Sequence, residues 1–247
     1  MKGLKQVLGL YASQQRFQVE EIMLDAILLA AGRSTRLGSD FDKQLHRVGN
    51  KPLVIFSAEL LLEHSDINRL VVVANEDRLD NIQSVFTEFS LTQYCDFVLG
   101  GEERQESVRN SLEAIQSDRV LLHEGARPVI SHSLIERVLR PKSACVTPTI
   151  PVPFTVAVGQ AKMEQELDRS SLHNIQLPQA FDTQKLVDAH SHAYSESFQA
   201  TDDSALLFRM GHSVEFVEGE VTNIKVTYPT DLVLVEELLR ERRTEQI

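Results

Sequence analysis

Tryptophan is absent from the 247-residue chain, and aromatic residues reach only 6%. Cysteine occurs twice, at Cys95 and Cys145, with no CxxC or CxxH spacing. That excludes a disulfide framework and a cysteine-based zinc site, and it fits a reducing compartment. Long hydrophobic runs are missing too, since none approaches the roughly 18 apolar residues of a membrane span. Positive charge is in deficit: 25 Lys+Arg stand against 36 Asp+Glu, a formal net charge of −11. Such a balance argues against a chain that grips nucleic acid through bulk positive charge, although basic residues can still gather in one pocket. No low-complexity tract or internal repeat is visible. With 42% hydrophobic and 25% charged residues, the composition is that of a globular chain long enough to bury a substantial core.

Residues 1–22 begin with some signal-like character, but Lys5, Gln6, Gln14, Gln15 and Arg16 interrupt it. No apolar stretch of about 7–15 residues survives. The segment reads as a short amphipathic extension, or as the result of an upstream start codon with Met23 as the working start; a docking or targeting role is the alternative. The expectation is a cytoplasmic protein with no membrane or nucleic-acid partner, with one domain over residues 23–247.

From Leu24 the run Leu-Asp-Ala-Ile-Leu-Leu-Ala is almost continuously apolar, the pattern of a parallel strand buried on both faces. Pro52 can open a helix over residues 53–65. Strands then fit residues 70–74, 95–99, 120–123 and 144–150. Between them, helices fit 77–89, 103–115 and 133–139, the last capped by Ser131. Strand followed by helix, repeated four times, predicts an open, mostly parallel twisted α/β sheet with helices on both faces. Pro151, Pro153 and Pro178, with Gly159 and alternating Thr155-Val156-Ala157-Val158, predict an extended β-arm. Helices resume at 183–194 and 202–209, a strand fits 214–217, and a final helix covers 232–243.

Ligands of such sheets sit beyond the carboxyl ends of the strands, and three segments follow strands directly. In the first, Ala30-Ala31-Gly32 lets the backbone approach a ligand closely. Arg36 and Lys43 behind it could neutralise a triphosphate, with Arg33 a weaker candidate. The segment fits neither GxGxxG nor GxxxxGK[ST], and a tight turn with solvated arginines is the alternative. In the second, Gly100-Gly101-Glu102 precedes a helix whose free N–H groups could read a base edge or hold an anion, or simply form an ordinary strand–helix turn. In the third, Glu124 could bind Mg²⁺, a hard cation preferring oxygen ligands, or form an ion pair with Arg127. His123 reads as a packed or capping histidine. Thr201-Asp202-Asp203-Ser204 reads first as a helix cap, with metal ligation a secondary possibility. No GxSxG elbow is present.

Taken in order, these motifs resemble the 2-C-methyl-D-erythritol 4-phosphate cytidylyltransferase family and its close relatives, the ribitol-5-phosphate cytidylyltransferases. They are Ala-Ala-Gly, Lys-Gln, Gly-Gly-x-x-Arg-x-x-Ser, His-acid-x-Ala-Arg-Pro, Asp-Arg, Pro-Gln-x-Phe, Thr-Asp-Asp and Asn-Ile-Lys-Val-Thr. The resemblance spans about residues 24–239. It implies a Rossmann-like nucleotidyltransferase fold and transfer of CMP from CTP to a sugar- or polyol-phosphate, with Mg²⁺ and release of pyrophosphate, in isoprenoid biosynthesis. It also implies a homodimer whose arm, about residues 151–176, reaches into the partner's site. By motif, Ala30, Ala31 and Gly32 would lie against the nucleotide, and Arg36 and Lys43 would bind its phosphates. Gly101, Glu102 and Ser107 would select cytosine, and Ala126 would face the ribose. Glu124 would meet Mg²⁺, and Lys225 would stabilise the α-phosphate. Arg127, Thr155 and Arg169 would contact the acceptor. The chain departs from the family pattern at Asp42 (commonly Pro), Glu124 (commonly Asp), Gly125 (commonly Ala), Pro153-Phe154 (commonly Arg-Asp) and Leu177 (commonly Thr). Ribitol phosphate is the rival acceptor. A non-catalytic paralogue that binds nucleotide or a partner is the rival class.

Overall fold

The computed structural model describes residues 23–32 and 41–245. Twelve strands and seven α-helices are formed among them. The first strand, β1 (Leu24–Leu29), is buried at every residue, as its unbroken apolar run predicts. It pairs in parallel with β4 (Ile67–Ala74) on one side and β6 (Arg119–Glu124) on the other. A further parallel pairing adds β5 (Cys95–Leu99) to β4. The order in which strands join the sheet therefore reverses beside β1. A crevice for ligands forms at such a reversal.

Beyond β6 the sheet turns antiparallel. The strand β11 (Gln179–Asp182) lies between β6 and β7 (Cys145–Pro151), antiparallel to both. Strands β10 (His173–Ile175) and β12 (Val214–Glu218) also bond to β7, antiparallel and parallel respectively. A two-stranded ribbon, β8 (Ala157–Gly159) and β9 (Met163–Glu166), projects as the arm, and all of its residues are exposed. The arm is thus shorter than residues 151–176, because both ends of that span belong to the main sheet.

Alternation along β1 and β4 builds two cores. Ala26, Leu28, Leu70 and Val72 face one side, where α1 (Leu53–Leu62), α2 (Leu79–Glu88) and α4 (His132–Leu139) pack. Ile27, Leu29, Val71 and Val73 face the other, against α3 (Arg104–Leu112), α5 (Thr183–Ser195) and α6 (Asp203–Arg209). Ser131 caps α4 as its sequence position predicts, its hydroxyl accepting from Leu134 N. A third cluster of Val48, Leu53, Val129, Val226, Val235 and Leu239 seats α7 (Pro229–Glu245). A short hairpin, β2 (Arg47–Val48) with β3 (Lys51–Pro52), carries Val48 into that cluster. No helix among the described residues is long and apolar enough to cross a membrane.

Candidate active site

At the reversal of the sheet lies a cavity of about 520 Å³, a size that suits a small ligand. The exit of β1 contributes Ala31 and Gly32, and the loop behind it contributes Lys43 and Gln44. Gly101, Glu102, Arg104 and Ser107 come from the β5–α3 junction, Glu124 and Ala126 from the end of β6, and Lys225 from the loop before α7. Packing fixes these loops against each other. Asn75 Nδ2 donates to Ala31 O at 2.7 Å, and Val226 N donates to Ala126 O at 2.9 Å. A methyl at Gly100 would come within 3.0 Å of Ala31 Cβ, so glycine lets the β1 and β5 loops touch. Lys43 Nζ, buried, donates to Val226 O at 3.0 Å.

Glu124 is the electrostatic centre. Lys225 Nζ donates to its Oε1 at 2.9 Å and lies 2.8 Å from Oε2. Arg104 Nε donates to Oε1 at 3.2 Å, and Arg127 Nε stands 3.7 Å from Oε2. Burial alone raises a carboxyl's pKa, but the charges of Lys225, Arg104 and Arg127 outweigh it and hold Glu124 down at about 2. The carboxylate is therefore ionised at neutral pH, and it shares its cations with Asp203, which pairs with Arg104. His123, fully buried one residue earlier, is lowered by burial itself, to about 4, and stays neutral. Its Nε2 donates to Arg127 O at 3.1 Å, so it props the turn rather than facing the cavity.

The start of α3 is pre-wired. Ser107 Oγ accepts from Gly101 N and donates to Glu103 O, both at 3.1 Å, while Glu106 Oε2 accepts from Glu102 N at 2.9 Å. The N–H groups of Gly101 and Glu102 are thus both occupied by side chains of α3.

Of the residues singled out in the sequence, nine converge on the cavity: Ala31, Gly32, Lys43, Gly101, Glu102, Ser107, Glu124, Ala126 and Lys225. Ala30 is fully buried just before them, in the core. Arg127 stands behind Glu124, with Nη1 donating to Asn223 O at 2.9 Å. Thr155 and Arg169 lie exposed on either side of the β8–β9 ribbon and do not line the cavity of their own chain. Arg169 Nη1 donates to Pro153 O at 3.2 Å. Arg33 and Arg36 lie outside the described residues, as does the 1–22 extension. The departures resolve in different ways. Asp42 accepts from Gln44 N and pairs with Arg78, so its charge is directed away from the cavity. Leu177 is buried in the second core. Glycine at 125 leaves room for Gln44, since a methyl there would sit 2.5 Å from Gln44 Oε1. Nothing in the structure explains Phe154, which is 77% exposed.

Two residues with no role assigned from sequence, Arg104 and His190, form a network behind the cavity, with Asp203 of the Thr-Asp-Asp-Ser segment between them. Arg104 is the arginine of the Gly-Gly-x-x-Arg motif, and it ties Glu124 to Asp203 with Nη1 2.6 Å from Asp203 Oδ2. Asp203 and its partner His190 are both 1% exposed. In the Thr-Asp-Asp-Ser segment, Asp202 caps α6 by accepting from Ser204 N and also accepts from Gln179, while Asp203 is ion-paired with Arg104.

Among the described residues, no three His, Cys, Asp or Glu side chains come together as a metal cage. Mg²⁺ does not require one, because it retains waters and binds through one or two carboxylates plus substrate phosphates. Glu124, ionised and opening on the cavity, fits that donor set as a single protein ligand.

The family model described as IspD, 2-C-methyl-D-erythritol 4-phosphate cytidylyltransferase, matches residues 24–241. The 2-C-methyl-D-erythritol 4-phosphate cytidylyltransferase of Clostridium tetani is 35% identical over 223 residues, covering 87% of this chain and 90% of its own. The crystal structure of the Thermus thermophilus enzyme of that name superposes with a TM-score of 0.74 at 30% identity, covering 88% of this chain and 99% of that one. The 4-diphosphocytidyl-2C-methyl-D-erythritol synthase of Anaerococcus prevotii superposes with a TM-score of 0.77 at 25% identity, covering 89% and 99%.

Proposed function

The chain belongs to the 2-C-methyl-D-erythritol 4-phosphate cytidylyltransferase family, and from that premise we propose that its cavity transfers CMP from CTP to 2-C-methyl-D-erythritol 4-phosphate with release of pyrophosphate. One observation carries the reading: an ionised buried carboxylate, Glu124, encircled by Lys225, Arg104 and Arg127 in a cavity that Lys43 also lines. A phosphomonoester is largely dianionic at neutral pH, its second pKa being about 6. It is already a nucleophile and needs no general base. An acceptor phosphate oxygen bonds to the α-phosphorus of CTP, and the bond from that phosphorus to the bridging oxygen breaks. The displaced electron pair leaves with pyrophosphate.

The chain's own work is positioning and charge neutralisation. Ala31 and Gly32 hold the nucleotide by close backbone approach, with Ala30 packed in the core beneath them. Lys43 and Arg36 bind its phosphates. Gly101, Glu102 and Ser107 read the cytosine once their mutual hydrogen bonds open, and Ala126 meets the ribose. Lys225 counters the charge that builds on the α-phosphate. Arg127, with Thr155 and Arg169 from the arm of a second subunit, holds the acceptor in a homodimer. Glu124 is the residue that would hold Mg²⁺, which supplies further neutralisation of phosphate charge when bound.

The test is an acceptor panel with CTP and Mg²⁺, scored by pyrophosphate release and by mass of the product. Turnover with methylerythritol 4-phosphate and none with ribitol 5-phosphate supports the reading. The reverse preference would replace the acceptor, and CTP binding without turnover on any acceptor would favour a non-catalytic paralogue.

A further inference from the structure

His190 sits on α5, 1% exposed, with Nε2 3.0 Å from Asp203 Oδ1. A carboxylate only accepts, so Nε2 carries the proton and donates. The other carboxylate oxygen accepts from Arg104, whose Nε reaches Glu124 and through it Lys225. One unbroken chain of charge-assisted bonds thus runs from α5 through the first turn of α6 and the first residue of α3 to the floor of the cavity. Each link constrains the next. Burial raises the Asp203 carboxyl, but the charge of Arg104 and the bond from His190 hold it ionised. Without the imidazole, Asp203 Oδ1 becomes a buried acceptor with no partner, and the carboxylate is free to turn away from Arg104.

We propose that His190 is a positioning residue: by anchoring Asp203 it fixes Arg104, and Arg104 fixes the Glu124–Lys225 pair where the α-phosphate is handled. This rests on the transferase reading of the cavity. It adds a group outside every motif that defines that reading, and one that touches no substrate. His190 also borders a separate cavity of about 420 Å³ between α3 and α5, so side chains of other shapes can be accommodated there.

The experiment compares wild type with His190→Leu, which removes the donor, and His190→Gln, whose amide keeps one at similar reach. Turnover is measured with CTP and methylerythritol 4-phosphate, and the Arg104 Nε–H resonance is followed by ¹⁵N NMR without substrate. Losing a partner behind the residues that touch substrate costs about 10–100-fold in activity. The expected result is a kcat lower by about tenfold or more in His190→Leu, with KM for CTP unchanged and Arg104 Nε–H shifted and exchanging faster. In His190→Gln both readouts return towards wild type. Wild-type kcat in His190→Leu, an effect confined to KM, or equal losses in both variants with the Arg104 resonance unmoved would overturn the proposal. Should His190→Leu not fold, His190→Asn, one methylene too short, replaces it and is expected to lose kcat where His190→Gln does not. A wild type with no turnover at all would defeat the transferase reading instead, leaving the Arg104 resonance to decide the coupling.

Discussion

At the scale of single residues, the site is governed by charge balance around Glu124. Neutralising it leaves Lys225, Arg104 and Arg127 confronting one another in a buried setting. Glu124→Gln is therefore expected to cost roughly 3–5 kcal/mol at neutral pH, read by chemical denaturation. Because the folded carboxyl lies at about 2 instead of 4.5, its contribution is present above pH 4.5 and drains away as pH falls towards 2, on the order of 3 kcal/mol in all. The gap between wild type and Glu124→Gln should close over that window. His123 acts at higher pH. Held near 4 instead of 6.5, it must be charged in the unfolded chain before the folded one accepts the proton, so stability should fall as pH drops from 6.5 towards 4. A His123→Gln variant should lack that upper limb. Turnover should vanish in Lys43→Ala, and unchanged activity would remove Lys43 from the mechanism. Glu124 and Lys43 stood out in the sequence because their segments follow predicted strands, whereas Lys225, in a loop before the last helix, stood out only through the family resemblance. The Asp203–Arg104 pair did not stand out, since it joins residues 99 positions apart, and no local pattern announces such a partner.

At the scale of elements, the strand–helix alternation was readable because the central strands carry apolar runs, unbroken over Leu70–Ala74 of β4 and broken only by Asp25 in β1. The strand β11 escaped notice: it has four residues, Gln179-Ala180-Phe181-Asp182, with no alternation, and it exists because β6 and β7 offer it partners on both sides. Its antiparallel insertion, with β10, explains why the arm begins and ends inside the main sheet. The helix α7 matters for a different reason. Val235 and Leu239 pack on Val226, one residue after Lys225, so the helix holds in place the loop that carries Lys225 into the cavity. Truncating buried Leu239 to alanine should cost about 2–5 kcal/mol and lower kcat in parallel, as unfolding and steady-state measurements would show. A stability loss with kcat unchanged would mean that the loop holds its shape without α7.

At the scale of the whole molecule, the parallel sheet with its cavity beyond the strands' carboxyl ends was readable from the order of elements, whereas the strand order was not, because it rests on pairings between distant segments; among the described residues β8 and β9 pair only with each other. In the homodimer proposed above, light scattering at micromolar concentration should give twice the chain mass. Arg169→Ala should then raise KM for the acceptor while leaving CTP affinity intact; a monomer with full activity would contradict the arm's role. The most direct test of the central reading is stoichiometric: incubate the wild-type protein with CTP, Mg²⁺ and 2-C-methyl-D-erythritol 4-phosphate, and quantify pyrophosphate alongside the cytidylylated product, with Lys225→Ala as control. The expected result is one pyrophosphate per product in wild type and a steep loss in the variant. Intact CTP after prolonged incubation, or equal turnover in Lys225→Ala, would contradict it.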